Sequence, residues 1–151
     1  MSAGSSNAPL PKKLGITGDT VFTVRRAPDH FAELLTADGD LGDAVWQQSL
    51  MPPLDIVIAF CTQRVVLAAD WPKLTAPLSP DGAVWIAWPK RTSGVETDLT
   101  EDVLRAMILP TGWVDNKVCA IDDTWSGLRF VKRTELRRPK DNTKAAKARK
   151  G

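Results

Sequence analysis

Two stretches decide the fold: Leu54–Phe60 (LDIVIAF) and Ala83–Trp88 (AVWIAW). The first is a near-continuous apolar run, bounded by Pro52-Pro53 before and Thr62-Gln-Arg64 after. Runs of this kind mark strands buried on both faces, as in parallel sheets. Between them, Val66, Leu67, Trp71, Leu74 and Leu78 recur at helical spacing over residues 63–78. There Pro72 either bends the helix or opens a second one. Ser79-Pro-Asp-Gly82 reads as a turn before the second run. Strand, helix and strand in this compass form a βαβ unit, whose crossover is almost always right-handed.

Outward from this unit the pattern continues. Val21–Arg26 (VFTVRR) reads as a strand, and Pro28 and Asp29 open a helix whose apolar face is Phe31, Leu34 and Leu35. Residues 36–43 are rich in turn formers, and 44–50 fit either a short strand or a helical turn. After the second run comes a polar loop over 90–98. A helix follows, capped by Thr100, with Glu101 and Asp102 complementing its dipole. Val103, Leu104, Met107 and Ile108 form its apolar face, and Pro110 and Gly112 stop it. Residues 114–121 and 127–132 flank a polar turn and predict a closing antiparallel hairpin. The sum is a small three-layer α/β domain with a mostly parallel sheet.

Composition agrees. With 151 residues, 43% apolar and 25% charged, the chain suits one domain with a real core. Two cysteines exclude a disulfide scaffold, and no apolar run approaches the ~20 residues of a membrane span. The opening MSAGSSNAPLPKK lacks the apolar centre of a secretory signal, so the expectation is a cytoplasmic protein. Charge is unevenly placed. Residues 132–151 hold nine Lys/Arg against two acids, whereas the remainder holds eleven against sixteen. The expected organisation is a disordered segment over 1–13, a single domain over 14–133 and a basic, disordered arm over 134–151. Arg137, Arg138, Lys140, Lys144, Lys147, Arg149 and Lys150 of that arm offer weak nucleic-acid contact. The arm carries no aromatic residue for stacking on bases.

Open α/β sheets bind ligands outside the carboxyl ends of their strands. Three loops should meet there: 25–29, 61–64 and 88–100. The last is the richest, since Trp88, Lys90, Arg91, Ser93 and Gly94 precede the helix start at Thr100. Two cations, close backbone approach and a helix amino end suit a small anionic ligand or a protein partner. The competing expectation is a structural clamp, in which Asp98, Glu101 and Asp102 neutralise Lys90 and Arg91. In the hairpin turn, Asp122 and Asp123 could hold a cation or act as base, with Trp125 and Ser126 beside them. No third acid stands at a metal-ligand spacing, so a turn role is expected and no metal. His30 is the single histidine and sits near no nucleophile motif. Cys61 would be activated by Arg64 if exposed, and inert if packed.

The segments DGAVWIAWPKRTSGVETDLTEDVLR and VDNKVCAIDDTWSGLRFVKR resemble an uncharacterised bacterial domain-of-unknown-function family, number three-zero-five-two. Trp88-Pro-Lys90, Ser93-Gly94, Thr97–Asp102, Lys117–Ala120 and Asp123–Gly127 carry that resemblance over about residues 12–133. It implies a small soluble bacterial protein without an assigned activity. The order of elements also resembles the distal half of a class I methyltransferase, a Rossmann-like fold. That resemblance implies a glycine-rich first loop and an acid after the second strand to hold a ribose. Here residues 24–29 (VRRAPD) contain no glycine, and no acid clearly ends a second strand. The expectation is therefore a degenerate methyltransferase-like scaffold. It leans away from an enzyme and disfavours S-adenosylmethionine as cofactor. It acts instead as a module binding a protein partner or small anion at the carboxyl edge of the sheet. The alternatives are a divergent S-adenosylmethionine-dependent methyltransferase and a nucleic-acid-associated protein using the basic arm.

Overall fold

The computed structural model describes residues 8–134. Six strands form one sheet in the order β2-β1-β3-β4-β6-β5. They are β1 (Val21–Arg25), β2 (Val45–Trp46), β3 (Leu54–Phe60), β4 (Leu78–Pro89), β5 (Trp113–Ala120) and β6 (Trp125–Lys132). The first four run parallel, and β4, β6 and β5 pair antiparallel. The small, mostly parallel α/β fold with a terminal hairpin is thus the one the sequence predicts, with the strand order of the Rossmann-like, methyltransferase-like class.

Alternation along the central strands explains the three layers, because successive side chains point to opposite faces. Val57 and Ala59 of β3, with Val84 and Ile86 of β4, face Leu67, Trp71 and Leu74 of α3 (Arg64–Thr75) and Leu104 and Ile108 of α4 (Glu101–Ile108). Ile56, Ile58, Phe60 and Trp85 face the other way. They meet Leu10 and Leu14 of α1 (Leu10–Leu14) and Phe31 and Leu35 of α2 (Phe31–Leu35). Trp85 is fully buried and donates its indole N–H to the Leu14 carbonyl at 2.8 Å. Gly127 lies beneath that indole, where a Cβ would come within 3.1 Å of the ring.

Several expectations change. Where a disordered segment is expected up to residue 13, the structure places α1 (Leu10–Leu14), with Leu10 and Leu14 buried and the Leu14 carbonyl accepting from Trp85. Pro72 neither ends nor restarts α3, which runs through it as one helix. Ser79–Gly82 is not a separate turn. β4 begins at Leu78 opposite Leu54 and resumes pairing at Ala83 opposite Ile56, so the four residues form an irregularity within the strand. Residues 44–50 resolve into the two-residue strand β2. The Thr100 cap forms as expected, its hydroxyl accepting from the Val103 N–H at 3.1 Å. The basic arm, including Arg137, Arg138, Lys140, Lys144, Lys147, Arg149 and Lys150, lies outside the described residues. Among the described residues no helix is long and apolar enough to cross a membrane.

Candidate functional site

From β1 the chain turns to one side to make β2, then crosses to the other side to make β3. The carboxyl ends of β1 and β3 therefore diverge at a topological switch point, where such sheets open a crevice. Arg26 follows β1 with φ 59°, the one non-glycine residue in the left-handed region among those described. Its guanidinium reaches α3, donating from Nε and Nη2 to Oδ2 of Asp70 at 3.1 and 3.0 Å. Cys61 continues β3, its N–H donating to the Ala87 carbonyl at 2.8 Å. Burial, aided by the Asp70 charge and opposed by Arg26, pushes its thiol up to about 11. Cys61 is thus the packed, inert thiol of the two alternatives: it is 3% exposed within the apolar core, and the charges acting on it are those of Asp70 and Arg26, not Arg64.

Beside the pair lies a cavity of about 340 Å³, lined by Val24, Arg25, Arg26, Leu50, Asp70, Lys73 and Leu74. Sequence reasoning reached Arg25 and Arg26 through the loop they open, but not Asp70 and Lys73. Nothing in the spacing of α3 announces that its polar face meets β1, 44 residues away along the chain. Thr23, two residues back from Arg25 on the same face of β1, keeps a buried hydroxyl with no hydrogen-bond partner.

The second opening lies beyond β4, a cleft of about 930 Å³. Trp88, Lys90, Arg91, Gly94, Thr100 and Ser126 line it, so six of the residues singled out in the sequence share one wall. Ser93 and Asp98 shape the loop from behind. The Ser93 hydroxyl donates to the Lys90 carbonyl at 2.7 Å and closes a single 3-10 turn over Arg91–Ser93. Gly94 then leaves that turn at φ 80°. Asp98 accepts from the Arg64 N–H at 2.7 Å, while Thr97 donates its hydroxyl to the Thr62 carbonyl at 2.6 Å. The 90–100 loop is thus fastened to the end of β3.

The expected clamp is not built. Glu101 and Asp102 both turn to Arg105 one helical turn on, and Asp98 is engaged at α3. Arg105 is further held by Asp115 at 3.0 Å. The hydrogen bonds it donates to Asp115 and Glu101 push its guanidinium up further still. Lys90 and Arg91 make no ion pair with any described residue.

The hairpin turn takes another course. Oδ1 of Asp122 accepts from the Thr124 and Trp125 N–H groups at 2.9 and 2.8 Å, and Oδ2 meets Nε2 of His30 at 2.9 Å. Burial pushes this carboxyl up, but the hydrogen bonds from His30 and the two amides outweigh it and hold it below the usual range. Trp125 packs edge-on against Phe60 at 5.0 Å. Asp123 is exposed. Of this cluster only Ser126 reaches the cleft, and among the described residues no group of acids, histidines and cysteines is placed to hold a metal ion.

Comparison with solved structures follows the strand order. The chain matches a protein assigned as a type 11 methyltransferase from Sulfolobus solfataricus, with a TM-score of 0.56 and 12% identity, over 83% of this chain and 90% of that one. It matches DhpI, solved in complex with SAH, with a TM-score of 0.53 and 13% identity, over 86% of each chain. The pyocyanin biosynthetic protein PhzM matches with a TM-score of 0.54 and 11% identity, over 85% of this chain and 56% of that one. No protein-family model matches the sequence, and no curated protein does. At these identities the likeness is one of fold. It corrects two expectations all the same: the leaning away from an enzyme, and the disfavouring of S-adenosylmethionine. Both rested on the missing glycines and the missing acid after a second strand, yet the chain without them keeps a fold seen in an assigned methyltransferase and in an SAH-bound protein.

Proposed function

We propose that the chain is a divergent S-adenosylmethionine-dependent methyltransferase that holds its cofactor across the carboxyl ends of β1 and β3. The observation that carries the reading is the turn at Arg26. It takes the left-handed backbone that a glycine-rich first loop would supply, at the switch point and beside a cavity of about 340 Å³. That volume falls within the ordinary range for small-molecule sites.

The donor set suits a zwitterionic amino acid joined to a nucleoside. Arg25 and Lys73 offer cations to a carboxylate, and Asp70 offers a carboxylate to an ammonium or sulfonium group. Arg26 keeps Asp70 fixed. Val24, Leu50 and Leu74 provide the apolar wall. After β2, where the resemblance implies an acid, stand Gln47 and Gln48. The Gln47 amide donates to Ser49 and Met51 carbonyls, leaving the exposed Gln48 side chain to accept from a ribose hydroxyl. Bound there, S-adenosylmethionine would supply an electrophilic methyl group. The resemblance to the domain-of-unknown-function family assigns no activity and is neutral on this reading.

The test is amide mapping by NMR on the full chain. Addition of SAH should move the resonances of residues 25–27, 61–63 and 70–73. Movement confined to the 90–100 loop, or none, would refute the assignment of the cofactor to the switch point.

A further inference from the structure

We infer that the cleft beyond β4 is an acceptor subsite for a small organic anion, a molecule with an apolar or aromatic body ending in a phosphate or carboxylate. The acceptor role rests on the methyltransferase reading; the anion binding does not. Three observations carry it.

The first is unengaged positive charge. Lys90 and Arg91 stand on the cleft wall, and three of the four acids of this loop and helix start are engaged elsewhere, Glu101 and Asp102 on Arg105 and Asp98 on the Arg64 N–H. Glu96 is the one remaining acid on the wall, against two cations. An arginine and a lysine converging on one space recognise a phosphate or carboxylate through charge-assisted hydrogen bonds. The α4 amino end adds little net attraction, because Glu101 and Asp102 already occupy its first turn.

The second is rigidity. The Lys90 N–H donates to the Thr124 carbonyl at 2.7 Å, and its carbonyl accepts from both the Ser93 N–H and hydroxyl. The backbone that carries both cations is therefore fixed to the hairpin turn on one side and to its own 3-10 turn on the other. A site presented in this way loses less entropy on binding than a free loop would.

The third is the rim. Trp88 and Leu99 line the cleft but are packed into the core at 7% and 2% exposed, so the apolar side chain open to a ligand is Val95, 42% exposed. A free inorganic anion would leave Val95 uncovered, so the geometry points to a small organic body beside the charge. The same loop is hydrogen-bonded to Thr62 at the end of β3, which sets the cleft beside the proposed cofactor crevice.

The experiment is a ¹H–¹⁵N NMR titration of the full chain with phenyl phosphate, benzoate and, as a neutral control, benzyl alcohol. Both anions should give saturable shifts at residues 90–100 in the millimolar range, and benzyl alcohol should not. The K90A/R91A double variant, which keeps the backbone contacts, should weaken phenyl phosphate by about tenfold or more. SAH binding should be unchanged in that variant. Equal shifts from benzyl alcohol, or unaltered affinity in the double variant, would overturn the inference. If SAH binds and neither anion does, this inference fails alone. If the anions bind and SAH does not, the methyltransferase reading and the acceptor role fail together, and the anion site stands.

Discussion

Arg26, at the end of β1, closes on Asp70 of α3 with both Nε and Nη2 directed at one carboxylate oxygen, at 3.1 and 3.0 Å. The contact joins a residue of left-handed backbone to the helix that follows β3, across the point where the sheet changes winding direction. Two opposed effects meet there. Left-handed backbone costs a non-glycine residue about 1–2 kcal/mol, while an ion pair this exposed returns at most about 1 kcal/mol.

Arg26→Gly should accordingly leave folding stability within about 1 kcal/mol of the parent, because relief of the backbone offsets the lost pair and the freer unfolded chain. Arg26→Val should lower it by about 1–3 kcal/mol, since a β-branched residue tolerates this region worst. Urea unfolding of the two variants side by side decides the matter. Equal loss in both would mean that the pair, and not the backbone, is the larger effect.

Thr23→Val replaces a buried hydroxyl that lacks a partner with a methyl of the same shape. Removing an unsatisfied buried polar group should stabilise the fold by about 1 kcal/mol. A measured loss of stability would assign the hydroxyl a partner and contradict the description of this strand.

Cys61 should resist thiol reagents in the native state at pH 8, since burial holds its thiol at about 11, and react promptly once the protein is unfolded. The sign for stability follows from the raised value. The contribution is fully present below the ordinary thiol value of 9.0 and is lost as pH rises through about 11. A Cys61→Ser variant, with a hydroxyl that does not titrate there, should show a flatter stability profile over that interval. Rapid native labelling at pH 8 would contradict the burial.

Asp122 anchors the hairpin turn through two amides and His30. Asp122→Ala should cost about 1–2 kcal/mol through the orphaned amides, and His30→Ala under about 1 kcal/mol because that contact is half exposed. The carboxyl is held below its usual range. Its stabilisation is therefore present above the ordinary carboxylate value and is lost as pH falls through the lowered folded value. Chemical denaturation of the parent and Asp122→Asn should converge at low pH; a constant gap would disprove the linkage.

Legibility in the sequence tracked the range of the interaction. Leu54–Phe60 was readable to the residue because its signal, an apolar run between prolines and polar residues, is local. The Thr100 cap was readable for the same reason, its bond spanning three residues. Ser79–Gly82 misled, because turn-forming residues also fit a strand irregularity, and only pairing with β3 distinguishes the two. Leu10–Leu14 was missed because a five-residue helix has little periodicity of its own and is held by Trp85, 71 positions on. At the site, Lys90, Arg91 and Gly94 were recognisable by type. Their freedom from Glu101 and Asp102 was not, since it depends on Arg105 being further held by Asp115 on β5. Asp70 was invisible because its meaning comes from Arg26, 44 residues earlier.

The measurement that bears most directly on the central claim is calorimetric titration of the full chain with S-adenosylmethionine and SAH. It should be repeated on a variant carrying Arg25→Ala and Asp70→Asn. The account predicts saturable one-to-one binding of both compounds to the parent and loss of about tenfold or more in affinity in the variant. Absence of binding to the parent at millimolar concentration, or binding that the variant leaves unchanged, would contradict it.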